Sequence, residues 1–369
     1  MAPDSDSGPI LQGIEPTLIP LSSTHKRPSP NPRFLRNTWY VAMFSPELGE
    51  GELKHRTIMN EPIVLYRKEN GGIAAIADRC AHRHVPLSMG RLQAGDRIQC
   101  IYHGLEFGAD GKCALNPHGS GKASDALKVK SYTVIEKHTL IWVWMGAAED
   151  ADEALIPDFH WNDDPDWYPV GDYMYLDCHY QLLSDNLMDL SHEAYVHRGT
   201  IGTDAVSETP SAAARDGETV TVERIMPGCP SPPFYQKLKG YDGLIDRMHR
   251  IVFRPPATIV IESKSTPSGD NDPDDGLEYR VLCAITPESD TTTHFFWAVP
   301  RNFNPEQPVT EMMYQGSKAV FEEDIDVLNR QQEVLSRVGT QANWQNIHSD
   351  AGAVYARRVV DELLAAEAG

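Results

Sequence analysis

Four short runs in the first half of the chain, at 62–67, 73–78, 97–107 and 132–145, are dominated by apolar, β-branched and aromatic positions between polar breaks. Such runs read as short β segments. Gly71-Gly72, Gly95-Asp96 and Asp110-Gly111 punctuate these runs as turns do. The pattern predicts a small all-β domain. Residues 149–166 are rich in Asp, Glu and Pro without a period and read as a crossing linker, which puts a boundary near residue 150. Strand-like runs follow at 173–178, 219–225, 251–263, 277–286 and 294–299, with a helix-like run at 180–194. From 311–338 and again from 352–366 the apolar spacing changes to three and four residues, as in Val320, Ile325 and Leu328, and two helices are expected there. The fold class is therefore α+β: an all-β domain over 34–150, then a mixed domain over 151–369 with an antiparallel sheet and C-terminal helices. No internal repeat is visible.

Composition narrows the function. The 369 residues include 41% hydrophobic and 23% charged, as in folded globular proteins. Lys plus Arg number 33 against 53 Asp plus Glu, a formal charge of -20 that would repel a phosphate backbone, so nucleic acid is not an expected partner. Apolar stretches such as 141–145 fall far short of the roughly 18 residues a membrane helix needs. The first 33 residues hold seven prolines among serines, with neither a basic nor an apolar leader region, and read as a flexible arm. A cytoplasmic location follows as the default. Six cysteines are too few for a disulfide scaffold in a chain this long, which directs attention to metal-ligand spacing.

Two cysteines have that spacing. Cys80-Ala81-His82, 17 further residues and Cys100-Ile101-Tyr102-His103 put one Cys and one His on each of two loops. Such a set suits structural zinc, and it also suits a [2Fe-2S] centre with both Cys on one iron and both His on the other. Zinc sites commonly pair like residues at close spacing; here each loop supplies one of each kind, which favours the cluster. His84 lies outside the spacing and reads as a loop histidine. The pattern C-x-H-x17-C-x2-H, with Asp78-Arg79-Cys80 before it and Gly104-Leu105 after it, resembles the motif of Rieske oxygenases. The resemblance implies a Rieske [2Fe-2S] cluster, with Cys80 and Cys100 on one iron and His82 and His103 on the other. Imidazole ligands raise the potential of such a cluster.

A second constellation runs Asn186-Leu187-Met188-Asp189-Leu190-Ser191-His192, then Tyr195-Val196-His197. In a helix Asp189 and His192 would share a face, whereas His197, five beyond His192, would rotate away. The helix is therefore expected to end or distort near Ala194. Two imidazoles and a carboxylate with open positions opposite suit non-haem Fe(II) and leave room for O2. This run is similar to the iron motif of the same oxygenases. The likeness implies His192 and His197 as iron ligands, Asn186 and Asp189 beside them, and an aspartate on a C-terminal helix as the third ligand. Residues 321–328 offer Asp324, with Asp326 as the fallback; a solvated acidic face is the alternative for that stretch.

Family likeness further implies a ring-shaped homotrimer in which Asp189 links His103 of the partner subunit to His192. It implies an O2-dependent monooxygenase fed by a ferredoxin and a reductase, with NAD(P)H entering only through the reductase. Arg79, Arg83, Arg91 and Arg97 surround the two loops and could receive an acidic ferredoxin, or could pair locally or with the adjacent subunit. The resemblance extends over nearly all of the chain after residue 34. Residues 36–41, 116–119 and 156–159 place it nearest the dicamba and vanillate demethylase branch, which oxidises an alkyl carbon on oxygen or nitrogen so that the adduct collapses to an aldehyde. Where dicamba-type enzymes hold an aryl carboxylate with Asn and His, this sequence has Ile261 and Cys283. A carboxylate buried there unpaired would cost several kcal/mol, so a neutral aromatic is expected, with N-dealkylation of an aryl amide or amine ahead of O-demethylation. Trp297, Phe295 and Ile261 are the pocket candidates, with ordinary core the alternative. Ring hydroxylation or dihydroxylation by the same metals is the rival reaction, and a Rieske electron carrier the rival class. Cys113, Cys178 and Cys229 read as small core residues, and His118, His138, His179 and His249 as structural ones.

Overall fold

The computed structural model describes residues 34–269, 276–339 and 344–368. The arm expected over 1–33 lies outside the described residues. In the N-terminal domain the strands are β1 Trp39–Phe44, β2 Lys54–Ile58, β3 Glu61–Arg67, β4 Ile73–Ala77, β5 Arg91–Gln93 and β6 Arg97–Gln99. They continue as β7 Glu106–Phe107, β8 Cys113–Leu115, β9 Ser131–Tyr132, β10 Val134–Lys137 and β11 Leu140–Trp144. Three antiparallel sheets result, ordered β1-β11-β10, β2-β3-β4-β9 and β5-β6-β7-β8. The run expected as one strand over 97–107 is broken at Cys100, because Gly104 at φ 71° turns the chain into a loop before β7 resumes. The run expected over 132–145 likewise divides among β9, β10 and β11, with the β10–β11 turn at His138 and Thr139, both at positive φ.

The second domain carries β12 Gly171–Leu176, α1 Tyr180–Met188, α2 Glu193–Val196, α3 Asp204–Glu208, β13 Ala212–Asp216, β14 Thr219–Pro230 and α4 Pro233–Lys239. Then come β15 Leu244–Arg254, β16 Thr258–Pro267, β17 Leu277–Pro287, β18 Thr293–Ala298, α5 Gln307–Val338 and α6 Ala351–Ala368. Its strands form one seven-stranded antiparallel sheet in the order β12-β18-β17-β16-β15-β14-β13. The expected strand over 251–263 is instead a hairpin. Pro255 and Pro256 have no amide hydrogen to continue a ladder, and the chain doubles back so that Ile251 pairs with Ile261.

Alternation along β17 and β18 sends two cores to opposite faces. Leu282, Ala284, Phe296 and Ala298 pack with Trp39, Val41, Trp142 and Trp144 of the first domain. Cys283, Ile285, Phe295 and Trp297 face the other way, into the core shared with the helices. Each buried aromatic of this kind contributes about 2–3 kcal/mol, so this apolar layer helps to hold the two domains together. No described helix is long and apolar enough to cross a membrane.

Candidate functional site

The two Cys-His loops are built alike. Cys80 N donates to Val85 O at 2.8 Å, and Cys100 N donates to Leu105 O at 2.8 Å. His84 N returns to Cys80 O and Gly104 N to Cys100 O, both at 2.9 Å. His84 and Gly104 occupy equivalent left-handed positions, at φ 58° and 71°. His84 is thus the turn-closing residue of its loop, in the place that Gly104 takes in the other. Cys80 and Cys100 are buried, whereas His82 is exposed on the rim and His103 half-buried, their rings 4.7 Å apart.

Burial pushes the Cys80 thiol up, and the Cys100 thiol beside it adds to this against an opposing hydrogen bond from the His82 amide. Thiolate at such a buried pair needs a cation beside it. An iron pair would supply that charge, so the donor set fits a cluster with sulfur ligands inside and imidazoles facing out. Asp78 ties the first loop to the domain: it accepts from Ser88 N at 2.7 Å, Ser88 Oγ at 2.6 Å and His55 Nδ1 at 2.6 Å. His118 donates from Nε2 to His103 O at 2.8 Å, a tie that the motif does not reveal. Arg79, Arg83 and Arg91 are exposed, while Arg97 pairs with Glu106 at 2.9 Å.

In the second domain α1 ends at Met188, earlier than the expected break near Ala194. Asp189 is extended, at φ -133° and ψ 94°, and its carboxylate accepts from Ser191 N and Oγ, both at 2.9 Å. Asp189 and His192 therefore do not share a helical face. What holds His192 is the Asp189 backbone carbonyl, which accepts from Nδ1 at 2.6 Å. The short α2 then carries the chain to His197, whose Nδ1 donates to Glu323 Oε2 at 2.7 Å. Both rings are fixed as Nδ1-H tautomers, leaving each Nε2 lone pair free.

Those lone pairs face α5. Asp324 Oδ1 lies 3.4 Å from His192 Nε2 and 3.1 Å from His197 Nε2, and it accepts from Asn186 Nδ2 at 3.0 Å. Donor atoms of His192, His197 and Asp324 all lie within 4.8 Å of one another. Burial alone would raise the Asp324 carboxyl, but the two imidazoles hold it far below the usual carboxylate range. Asp324 in turn raises both histidines against their burial. A buried anion clamped by two imidazoles is a cation site, and its two-nitrogen, one-carboxylate set suits ferrous iron with open positions. Asp326 points away, 78% exposed beside Arg330.

The triad opens into a cavity bounded by the sheet. Ile261 and Val281, directly paired across β16 and β17, supply its apolar wall. Cys283, two residues beyond Val281, is fully buried among Ile259 and Trp297 and does not line the cavity; neither do Trp297 and Phe295, which pack on Phe321. The pocket expected to be apolar also has a polar wall of Glu193, Arg247, His249, Ser263 and Tyr279. Arg247 is matched by Glu193 at 3.1 Å, both fully buried. Burial and the neighbouring Arg247 and Arg224 guanidiniums drive His249 well below its ordinary range, so it is neutral.

Known proteins bear the same two-domain signature. Residues 38–133 match the Rieske [2Fe-2S] domain and residues 176–366 the vanillate O-demethylase oxygenase C-terminal domain. A vanillate O-demethylase oxygenase subunit of Pseudomonas sp. (strain HR199 / DSM 7063) is 40% identical over 344 residues, 90% of this chain and 96% of that protein. The oxygenase component of chloroacetanilide N-alkylformylase of Rhizorhabdus wittichii (strain DC-6 / KACC 16600) is 33% identical, over 90% of this chain and 97% of its own. The crystal structure of dicamba monooxygenase bound to 3,6-dichlorosalicylic acid superposes with a TM-score of 0.85 at 34% identity, covering 91% of this chain and 99% of that one. Cluster, mononuclear iron and O2 as co-substrate follow for this chain, which belongs to the Rieske non-haem iron oxygenases with a vanillate O-demethylase type catalytic domain.

Proposed function

We propose that this protein is the terminal oxygenase of a multicomponent system that oxidatively dealkylates a neutral substituted aromatic. The observation that carries this reading is the triad of His192, His197 and Asp324 opening onto the Ile261–Val281 wall, where an aromatic ring can lie. Bound there, ferrous iron would activate O2 with electrons from the cluster held by Cys80, His82, Cys100 and His103. The protein's own contribution is positional. Asn186 steadies Asp324, the Asp189 carbonyl and Glu323 orient the two imidazoles, and the wall sets which substrate carbon faces the metal. The Arg247–Glu193 pair leaves the polar wall without excess charge, which supports an uncharged substrate over a free carboxylate.

N-dealkylation of an aryl amide or amine agrees with that balance. O-demethylation of an aryl ether is the second reading, favoured by the 40% identical vanillate relative. Electrons would come from a ferredoxin and its reductase, docking on the exposed Arg79, Arg83 and Arg91. We further propose a homotrimer in which Asp189 faces His103 of the partner subunit, so that Asp189→Asn would keep both metals and lose turnover. The deciding experiment supplies purified protein, a generic ferredoxin and reductase, and N-alkyl anilides, methoxyarenes and methoxybenzoates. Aldehyde release from the neutral compounds supports the reading. Ring-hydroxylated products, or clear preference for the acids, would refute it.

A further inference from the structure

Two cavities meet at one aromatic side chain. The inner one, bounded by His192, His197 and Asp324, has about 80 Å³ of free volume. The outer one has about 280 Å³ and is edged by exposed Gly199, Pro233, Lys237 and Gln315, so it opens to solvent. Ile201, Phe234, Gly316 and Val320 line both cavities and so form the wall they share. Phe234 is the one aromatic among these four. It stands at the start of α4, its amide donating to Thr200 O at 3.2 Å. Its ring lies on the backbone of α5, where a Cβ at Gly316 would come within 2.5 Å of Cε2. A bare α-carbon at 316 is what gives the ring this seat.

An engineered apolar cavity of ~150 Å³ takes up benzene, and the inner volume is roughly half of that. With the ring seated, the iron cavity is therefore tight for an aromatic substrate, and Phe234 is the aromatic side chain on the wall that the two cavities share. We propose that Phe234, seated on Gly316, is the size-selecting door between the outer vestibule and the iron cavity. The ring swings off Gly316 to admit a flat aromatic molecule and returns behind it, which excludes water from the site. What passes the door rests on the reading given under Proposed function; the existence of the door does not.

The test therefore has two readouts. The first is the rate at which a flat aromatic chelator, 2,2′-bipyridine, strips ferrous iron from the holoenzyme. Phe234→Ala should raise that rate at least tenfold; Gly316→Ala, which keeps the ring but displaces it, should raise it too; Phe234→Trp should lower it. Equal stripping rates in all four proteins, or faster stripping that merely follows weaker equilibrium iron affinity, would overturn the proposal. The second readout compares aldehyde release from N-methylaniline and N-methyl-1-naphthylamine. Phe234→Ala should shift the kcat/KM ratio toward the naphthyl compound at least tenfold, and an unchanged ratio counts against the door. Absence of aldehyde from every compound, with the stripping rates ordered as expected, refutes the dealkylase reading and leaves the door standing.

Discussion

His197 donates from Nδ1 to Glu323 at 2.7 Å, and the next residue of the same helix, Asp324, meets the opposite nitrogen of that ring at 3.1 Å. One turn of α5 thus both orients the imidazole and completes the metal set. A carboxylate behind a ligating histidine fixes its tautomer and raises its basicity, and losing one typically costs 10–100-fold in metal affinity. Glu323→Ala should weaken ferrous iron binding by about that factor, and Glu323→Gln, which can still accept from Nδ1, by less. Competition against a calibrated chelator measures both. Unchanged affinity in the Ala variant would remove Glu323 from the site.

The neighbouring acids make a sharper contrast. Asp324 is buried between two imidazoles, whereas Asp326 is exposed beside Arg330. Asp324→Asn should abolish stoichiometric iron while leaving the visible spectrum of the cluster intact. Asp326→Asn should change iron content little and stability by under about 0.5 kcal/mol, as exposed helix pairs do. Metal analysis together with the cluster absorbance separates the two variants.

Much of this site could be read from the chain because ligand identity depends on residue type and spacing, which are local. Cys80, His82, Cys100 and His103 stand out on that basis alone, and so do His192 and His197. Glu323 and His118 do not, since each acts on a residue far along the chain or across a loop. The helix break at Asp189 was expected five residues later, because periodicity cannot register that an aspartate carboxylate caps the next turn through Ser191. The pocket was the least legible part. Val281 and Cys283 point the same way from β17, and only the packing of Trp297 and Ile259 decides that Cys283 is core. Arg247 and His249 sit on a strand whose hairpin partner was merged with it in the periodic reading, which hid their approach to the site.

Gly202 offers a test of how rigid the turn after His197 must be. Its amide donates to His197 O at 2.9 Å, and a Cβ at this position would overlap the Glu193 carbonyl oxygen. Glu193 and His197 are the two ends of the segment that presents His197, so relief of the clash must move that segment. Gly202→Ala should cost about 1–3 kcal/mol by overpacking and lower iron occupancy, with the cluster spectrum unchanged. An Ala variant with native melting temperature and full iron would show that the turn yields elsewhere.

The domain interface carries its own pH dependence. His294 on β18 is buried; its Nε2 lies 2.9 Å from Thr57 O on β2, and its Nδ1 lies 2.9 Å from the Tyr173 hydroxyl. Arg56, His55, Glu288 and Tyr175 surround it. Burial first, and then the Arg56 guanidinium, push this histidine down to about 4. The unfolded chain titrates such a group near 6.5. Below that pH the unfolded state therefore takes up a proton that the folded state refuses, and stability falls as pH drops until the folded group also titrates. The contribution is fully present above about pH 6.5 and is lost down to about pH 4, reaching on the order of 3 kcal/mol. Glu288 is shifted down as well, its carboxyl held low against burial by Tyr175, Thr292 and His294, so its own acid loss has the same sign and belongs at lower pH. His294→Gln can still donate to Thr57 O but cannot become charged. Its melting temperature should fall less steeply than the native protein's between pH 6.5 and 4.5, whatever its value at pH 7.5. Parallel melting curves across that window would show that His294 is not the group that titrates.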